Sequence, residues 1–208
     1  MTRPFVIVGT DTGVGKTCFS AALVGALNAH YWKPVQSGLE EETDTQTVAR
    51  LSGVAPDRLL AEAWRLKMPA SPHISARAES VEIDPAALAP PQVEGPLVIE
   101  TAGGVMVPLN DDILTIDLLA RWRLPVIVVA RTALGTINHS LLTLEALRRR
   151  DIPVHGVAFV GDAEKAPQET IARMGSVRAL GRLPRLDPLT RETLRAAFAA
   201  SFSLSDFT

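Results

Sequence analysis

One cysteine, Cys18, stands in 208 residues, so no disulfide can form within the chain and stability must come from packing. That fits a reducing compartment. No apolar run reaches membrane-spanning length, and no cationic segment followed by an apolar stretch opens the chain. The chain therefore reads as soluble and cytoplasmic, with no membrane partner. Surplus positive charge is missing too: 21 lysines and arginines face 23 acids, a formal net charge of −2. The run Arg148-Arg149-Arg150 falls at the end of an expected helix, where cations oppose the negative end of the helix dipole. A nucleic-acid surface needs a broader basic face than that. Internal repeats and low-complexity linkers are also absent.

What the chain does have is apolar residues, at 47 % of the total, enough for a sizeable core. The length suits one domain and is short for two. Apolar runs at Phe5–Val8, Leu97–Ile99, Pro125–Ala130 and Val154–Val160 read as strands buried on both faces, with weaker ones at Tyr31–Val35 and Val177–Leu180. Between them, apolar residues three and four apart mark helices over Lys16–Asn28, Asp44–Leu51, Ile113–Trp122, Ile137–Arg149 and Pro167–Met174. Alternating strands and helices predict an α/β fold, a mostly parallel central sheet with helices on both faces. Residues 53–95, with Pro56, Pro69, Pro72, Pro85, Pro90 and Pro91, are expected to be an irregular excursion over the sheet that covers the substrate cleft. In such sheets ligands bind beyond the carboxyl ends of the strands, which directs attention to the turns after Val8, Val35, Ile99 and Ala130.

The first of those turns is Gly9-Thr10-Asp11-Thr12-Gly13-Val14-Gly15-Lys16-Thr17. Glycines let backbone N–H groups curl round phosphate oxygens, and the helix that follows turns its positive end to the anion. Lys16 is placed to reach the β- and γ-phosphates of a nucleoside triphosphate, and the Thr17 hydroxyl to hold Mg²⁺. The general pattern puts its first glycine at position 10, but this chain has Thr10 there and Gly9 before it. A dinucleotide fingerprint does not fit, because it needs a glycine where Cys18 stands. Cys18 itself reads as a small buried residue.

Three further turns carry chemistry. Lys33, in Trp32-Lys33-Pro34-Val35-Gln36-Ser37-Gly38, puts a cation near the rim, and Asp44 opens the next helix, where capping is the simpler role. Glu100, closing an apolar strand before Thr101-Ala102-Gly103-Gly104, is the carboxylate a metal needs beside a triphosphate. Gly135 and Thr136, at a helix start, suit a second anion such as a carboxylate. His139 reads as structural.

Together these segments resemble the dethiobiotin synthase family, including its offset first glycine. The match runs in order from about residue 4 to residue 160 and takes in Ser71-Pro72-His73 and Leu134-Gly135-Thr136-Ile137-Asn138-His139. The resemblance implies a P-loop ligase of biotin biosynthesis that converts 7,8-diaminononanoate, CO₂ or bicarbonate, and ATP into a cyclic urea. It implies Lys16, Lys33, Thr12 and Ser37 as catalytic, with Thr12, Lys33 and Ser37 on the substrate carbamate. Thr17, Asp44 and Glu100 would hold Mg²⁺. Gly13, Val14, Gly15, Lys16, Thr17 and Cys18 would bind the phosphates, and Leu183 and Pro184 the base. Gly135, Thr136 and Asn138 would bind the substrate tail across a homodimer. Three departures stand out: Val160 where family members carry an adenine-contacting asparagine, Gly13 where some carry glutamate, and a short link from Asn28 to Tyr31. A P-loop switch of the chromosome-partitioning type is the alternative, but the signature lysine early in its loop is missing from Thr10-Asp11-Thr12. An amidotransferase-type synthetase would need a glutaminase domain for which the chain has no room.

Overall fold

The computed structural model describes residues 4–208. Seven strands form one wholly parallel sheet: β1 (Phe5–Gly9), β2 (His30–Trp32), β4 (Leu59–Leu60), β6 (Leu97–Gly104), β7 (Val126–Arg131), β8 (Val154–Val160) and β9 (Ala179–Leu183). Their order is β4-β2-β6-β1-β7-β8-β9, so the chain winds outward in both directions from the β1–β6 pair. The strands are continuous apolar runs because both faces are covered. Phe5 and Ile7 point into one core with α1 (Lys16–Leu27), α2 (Asp44–Ser52) and α7 (Arg191–Ser201). Val6 and Val8 point into the other, with α4 (Thr115–Trp122), α5 (Thr136–Arg148) and α6 (Lys165–Met174). Among the described residues no helix is long and apolar enough to cross a membrane.

Four expectations change. The strand at Tyr31–Val35 is broken: β2 ends at Trp32, and β3 (Val35–Ser37) pairs instead with β5 (Trp64–Leu66) in a small second sheet. Proline explains the break, since Pro34 has no N–H for the ladder while its carbonyl accepts from Trp64 N–H at 3.1 Å. The excursion is more ordered than its prolines suggest. Pro56 and Pro85 each open a 3-10 turn, and Pro72 opens α3 (Pro72–Ala78). Proline at a first helical position costs no hydrogen bond, so these residues start elements instead of breaking them. Ile83 and Leu88, both fully buried, anchor the far part of the excursion, where Trp122 Nε1 donates to the Leu88 carbonyl at 2.9 Å. The last strand runs later than expected, over β9. Finally, α7 was not foreseen; Thr190 caps it, and Leu194 and Phe198 bury its inner face.

The short link after α1 is closed by Asn28 in the left-handed conformation (φ 49°), with Ala29 N–H reaching back to the Val24 carbonyl at 3.0 Å. That turn brings β2 beside β6 directly and leaves the carboxyl ends of the strands undisturbed.

Candidate active site

The loop between β1 and α1 folds back on itself. Lys16 Nζ donates to the Asp11 carbonyl at 3.0 Å, and the side chain is only 7 % exposed. The displaced glycine has its reason here. A β-carbon on Gly9 would lie 2.6 Å from the Asp11 oxygen and 2.8 Å from Lys16 Nζ, so no larger residue fits. Gly15, left-handed at φ 95°, precedes α1 without a side-chain cap, and no acid stands in the first turn. The helix therefore offers its N–H groups and positive end to an incoming anion. Val14 is buried in the core, which leaves its backbone for a ligand.

A tight ionic cluster closes the other side. Thr17 Oγ1 donates to Asp44 Oδ1 (2.6 Å) and lies 3.0 Å from Glu100 Oε1. Lys33 Nζ sits 2.6 Å from Asp44 Oδ2 and 3.5 Å from Glu100 Oε1. Lys33 is 3 % exposed and Glu100 is fully buried. Asp44 does not cap α2, as its position suggested. Thr43 does, accepting from Gln46 N–H at 3.3 Å while Gln46 Oε1 accepts from Thr43 N–H at 2.8 Å. The Asp44 carboxylate is thus released to the cluster, and buried Gln36 steadies it by accepting from Asp44 N–H at 3.2 Å.

Burial and charge divide the two lysines. Burial pulls the Lys16 ammonium below its ordinary pKa, and the Glu100 charge offsets only part of that. Burial pulls on Lys33 as well, yet Glu100 and Asp44 outweigh it and hold its pKa above the usual lysine range. Burial would raise the Asp44 carboxyl, but the Lys33 charge and hydrogen bond leave it lowered. Burial, then the Glu100 charge, push the Cys18 thiol up, so it is no activated nucleophile.

These groups line one cleft of about 600 Å³ with Thr12, Ser37 and residues 69–72 of the excursion. Ser37 Oγ is buried there without a hydrogen-bond partner, a donor waiting for a ligand. Three hard oxygen donors, on Thr17, Asp44 and Glu100, meet at the loop and suit Mg²⁺, which binds through one or two carboxylates plus phosphate and water. Cys18 also lines the cleft.

Other candidates stand apart. Leu183 and Pro184 follow β8 across the sheet: the Leu183 carbonyl accepts from Gly161 N–H at 3.0 Å, next to Val160. Val160 packs on the loop, since a β-carbon at Gly15 would lie 2.7 Å from its Cγ1. Gly135, Thr136 and Asn138 are not among the residues lining the cleft. They open α5, where Gly135 is left-handed (φ 91°) with open space around it, and Thr136 Oγ1 is buried and unpartnered. Sequence reasoning passed over Gln36 and Tyr31 as site residues. Gln36 lies inside the segment already singled out, and Tyr31 reads as an ordinary core aromatic.

Fold and loop together define a P-loop nucleotide-binding protein. A family model described as an AAA domain matches residues 3–193. The ATP-dependent dethiobiotin synthetase BioD of Agrobacterium fabrum is 63 % identical over 207 residues, covering 100 % of this chain and 98 % of the relative. The protein of the same name from Rhizorhabdus wittichii is 61 % identical over 207 residues, covering 100 % and 99 %. The chain belongs to the dethiobiotin synthetase family. A ParA family ATPase from Chlorobium tepidum is similar in structure, with a TM-score of 0.59 over 96 % of this chain and 92 % of that one. At 12 % identity that likeness is one of fold alone.

Proposed function

We propose that the chain is an ATP-dependent cyclo-ligase that makes dethiobiotin from 7,8-diaminononanoate and CO₂. One substrate amine adds to CO₂ and loses a proton, giving a carbamate. A carbamate oxygen attacks the γ-phosphorus, and the bond to ADP breaks. The second amine attacks the carbonyl carbon of the resulting carbamic–phosphoric anhydride, phosphate leaves, and a proton is released with the cyclic urea.

The observation that carries this reading is Lys33, a buried ammonium held at the loop rim by Asp44 and Glu100. A cation kept charged opposite Lys16 serves a reaction whose nucleophile is the substrate itself. The protein need only position the carbamate and spread the charge on the γ-phosphoryl oxygens. Lys16 and Lys33 take that charge, and Thr12 and Ser37 hydrogen-bond the carbamate. The N–H groups of Gly13, Val14, Gly15, Lys16, Thr17 and Cys18 receive the phosphates, and Leu183 and Pro184 flank the base. Thr17, Asp44 and Glu100 would hold Mg²⁺, which when bound would neutralise charge on the nucleotide phosphates.

The α5 start serves a neighbouring molecule in this reading. Leu134 is fully exposed, and Met106 and Leu142 are half exposed, an apolar set suited to a second copy. In the homodimer, Gly135, Thr136 and Asn138 of one copy receive the carboxylate tail of substrate bound to the other. The site of action is the cytoplasm.

Turnover with C¹⁸O₂ tests the chemistry. The expected result is one ¹⁸O atom in the released phosphate, because a carbamate oxygen stays with phosphorus when the ring closes. Cyclic urea formed with unlabelled phosphate would exclude the anhydride route.

A further inference from the structure

The chain contains a single tyrosine, Tyr31, and its side chain is fully buried beneath the ionic cluster. Strand register puts it there. Tyr31 pairs with Val98, and Glu100 lies two residues further along β6, so both side chains leave the same face of the sheet. On that face the ring belongs to the buried core that also holds Phe19 and Leu23 of α1. Its Oη donates to Glu100 Oε2 at 3.1 Å. Thr17 and Lys33 occupy the other oxygen, Oε1. Among the described residues Oε2 has no second partner, in a carboxylate that no solvent reaches.

A phenylalanine ring would fill the same volume, so packing alone does not ask for the hydroxyl. Its position bears on the carboxylate. Without a donor at Oε2, half of a buried carboxylate would be unsatisfied, and its terminal torsion, which is intrinsically broad, would be held from the Oε1 side alone. Partners of this kind that orient a ligand from behind are worth about 10- to 100-fold in metal affinity.

We propose that Tyr31 is a positioning residue for the metal–nucleotide complex, its hydroxyl fixing Glu100 so that Oε1 faces Thr17 and the incoming cation. This rests on the reading of Glu100 as a Mg²⁺ ligand, and the experiment separates the two. Mn²⁺, as a paramagnetic stand-in for Mg²⁺, is titrated by electron paramagnetic resonance against the ADP complexes of wild type, Tyr31→Phe and Glu100→Gln. Nucleotide affinity is measured in parallel with the metal chelated. The expected result is Mn²⁺ affinity weakened about tenfold in Tyr31→Phe and more in Glu100→Gln, with metal-free ADP binding unchanged in Tyr31→Phe. Wild-type Mn²⁺ affinity in Tyr31→Phe, with loss in Glu100→Gln, would overturn the proposal and leave Tyr31 a core residue. Wild-type affinity in Glu100→Gln would overturn the ligand assignment and the Tyr31 proposal together. A second measurement leaves the hydroxyl in place. Full replacement by 3-fluorotyrosine labels position 31 alone, and its ¹⁹F resonance should move when Mg²⁺ joins bound ADP. A stationary resonance would also overturn the proposal.

Discussion

Two helices in this molecule begin in the same way and meet different surroundings. Both α1 and α5 follow a left-handed glycine, Gly15 or Gly135, and neither has a side-chain cap or an acid in its first turn. Each therefore leaves N–H groups free and a positive end exposed to an anion. Around α1 the chain adds two lysines, a threonine and two carboxylates, all packed into one cleft. Around α5 it leaves space beside Gly135 and exposes Leu134 completely. In the proposed reading the same backbone device serves a highly charged ligand with a metal in one place. In the other, on the same reading, it would be an open cradle for a single negative charge. What surrounds the helix end sets the ligand.

Removing the charge at α1 should break the comparison most strongly. Lys33→Ala is expected to lower turnover by about 10³-fold, at the upper end of what one charge-stabilising donor contributes. ADP affinity, measured by calorimetry with Mg²⁺ present, should stay within a few fold. Loss of both would mean a misassembled site. At α5, Thr136→Val is expected to raise KM for 7,8-diaminononanoate about tenfold, the effect of one hydrogen bond to a charged group, while KM for ATP is unchanged. A matching rise in KM for ATP would show that α5 does not serve the tail. Leu134→Arg sharpens the same point: sedimentation should show monomers, with the diaminononanoate KM raised as in Thr136→Val.

The pH dependence separates the two lysines of the α1 site. With no nucleotide bound, Lys16 has its pKa lowered by burial and Lys33 has its pKa raised by Glu100 and Asp44. As pH rises Lys16 loses its proton first. Amine-reactive labelling at alkaline pH, read by peptide mass spectrometry, should modify Lys16 ahead of Lys33. The reverse order would contradict the arrangement of charges. The link between Asp44 and stability has the opposite sense. A carboxyl held below its ordinary value stabilises the fold above that value, and the contribution fades as pH falls through the folded pKa. Denaturation in acid should therefore show a smaller loss of stability for Asp44→Asn than for wild type.

The smallest expected effect lies at the base. The turn after β8 has its backbone engaged: the Val160 carbonyl accepts from Thr132 N–H, and the Gly161 carbonyl accepts from Arg182 Nη1. With Val160 apolar and packed on Gly15, this turn offers a base contact area without hydrogen bonds. Rates with other nucleoside triphosphates should fall within about tenfold of ATP, since area alone discriminates weakly. A preference of a thousandfold would require a base-reading group elsewhere.

The α1 site was far more legible in the sequence than its framework. Gly9 to Thr17 could be read because phosphate chemistry demands a contiguous stretch of chain; Lys33 follows β2 and Asp44 opens α2, while Glu100 follows an apolar run but lies inside β6, which continues to Gly104. The order of the excursion is hidden because prolines read as breakers, although Pro56, Pro72 and Pro85 each begin an element. Tyr31 could not be picked out. Its hydroxyl matters through the β2–β6 register, and that register pairs Tyr31 with Val98, far along the chain. The role of Thr43 as the cap of α2 was hidden by Asp44 beside it, since both residue types cap well.

The most direct measurement incubates the purified protein with 7,8-diaminononanoate, bicarbonate, Mg²⁺ and ATP, with mass spectrometry for the cyclic urea. Dethiobiotin and an equal amount of ADP are expected, both lost together in Lys33→Ala. Folded protein that binds Mg²⁺ and ATP yet forms no cyclic urea would contradict it, leaving a nucleotide site whose second substrate had been assigned wrongly.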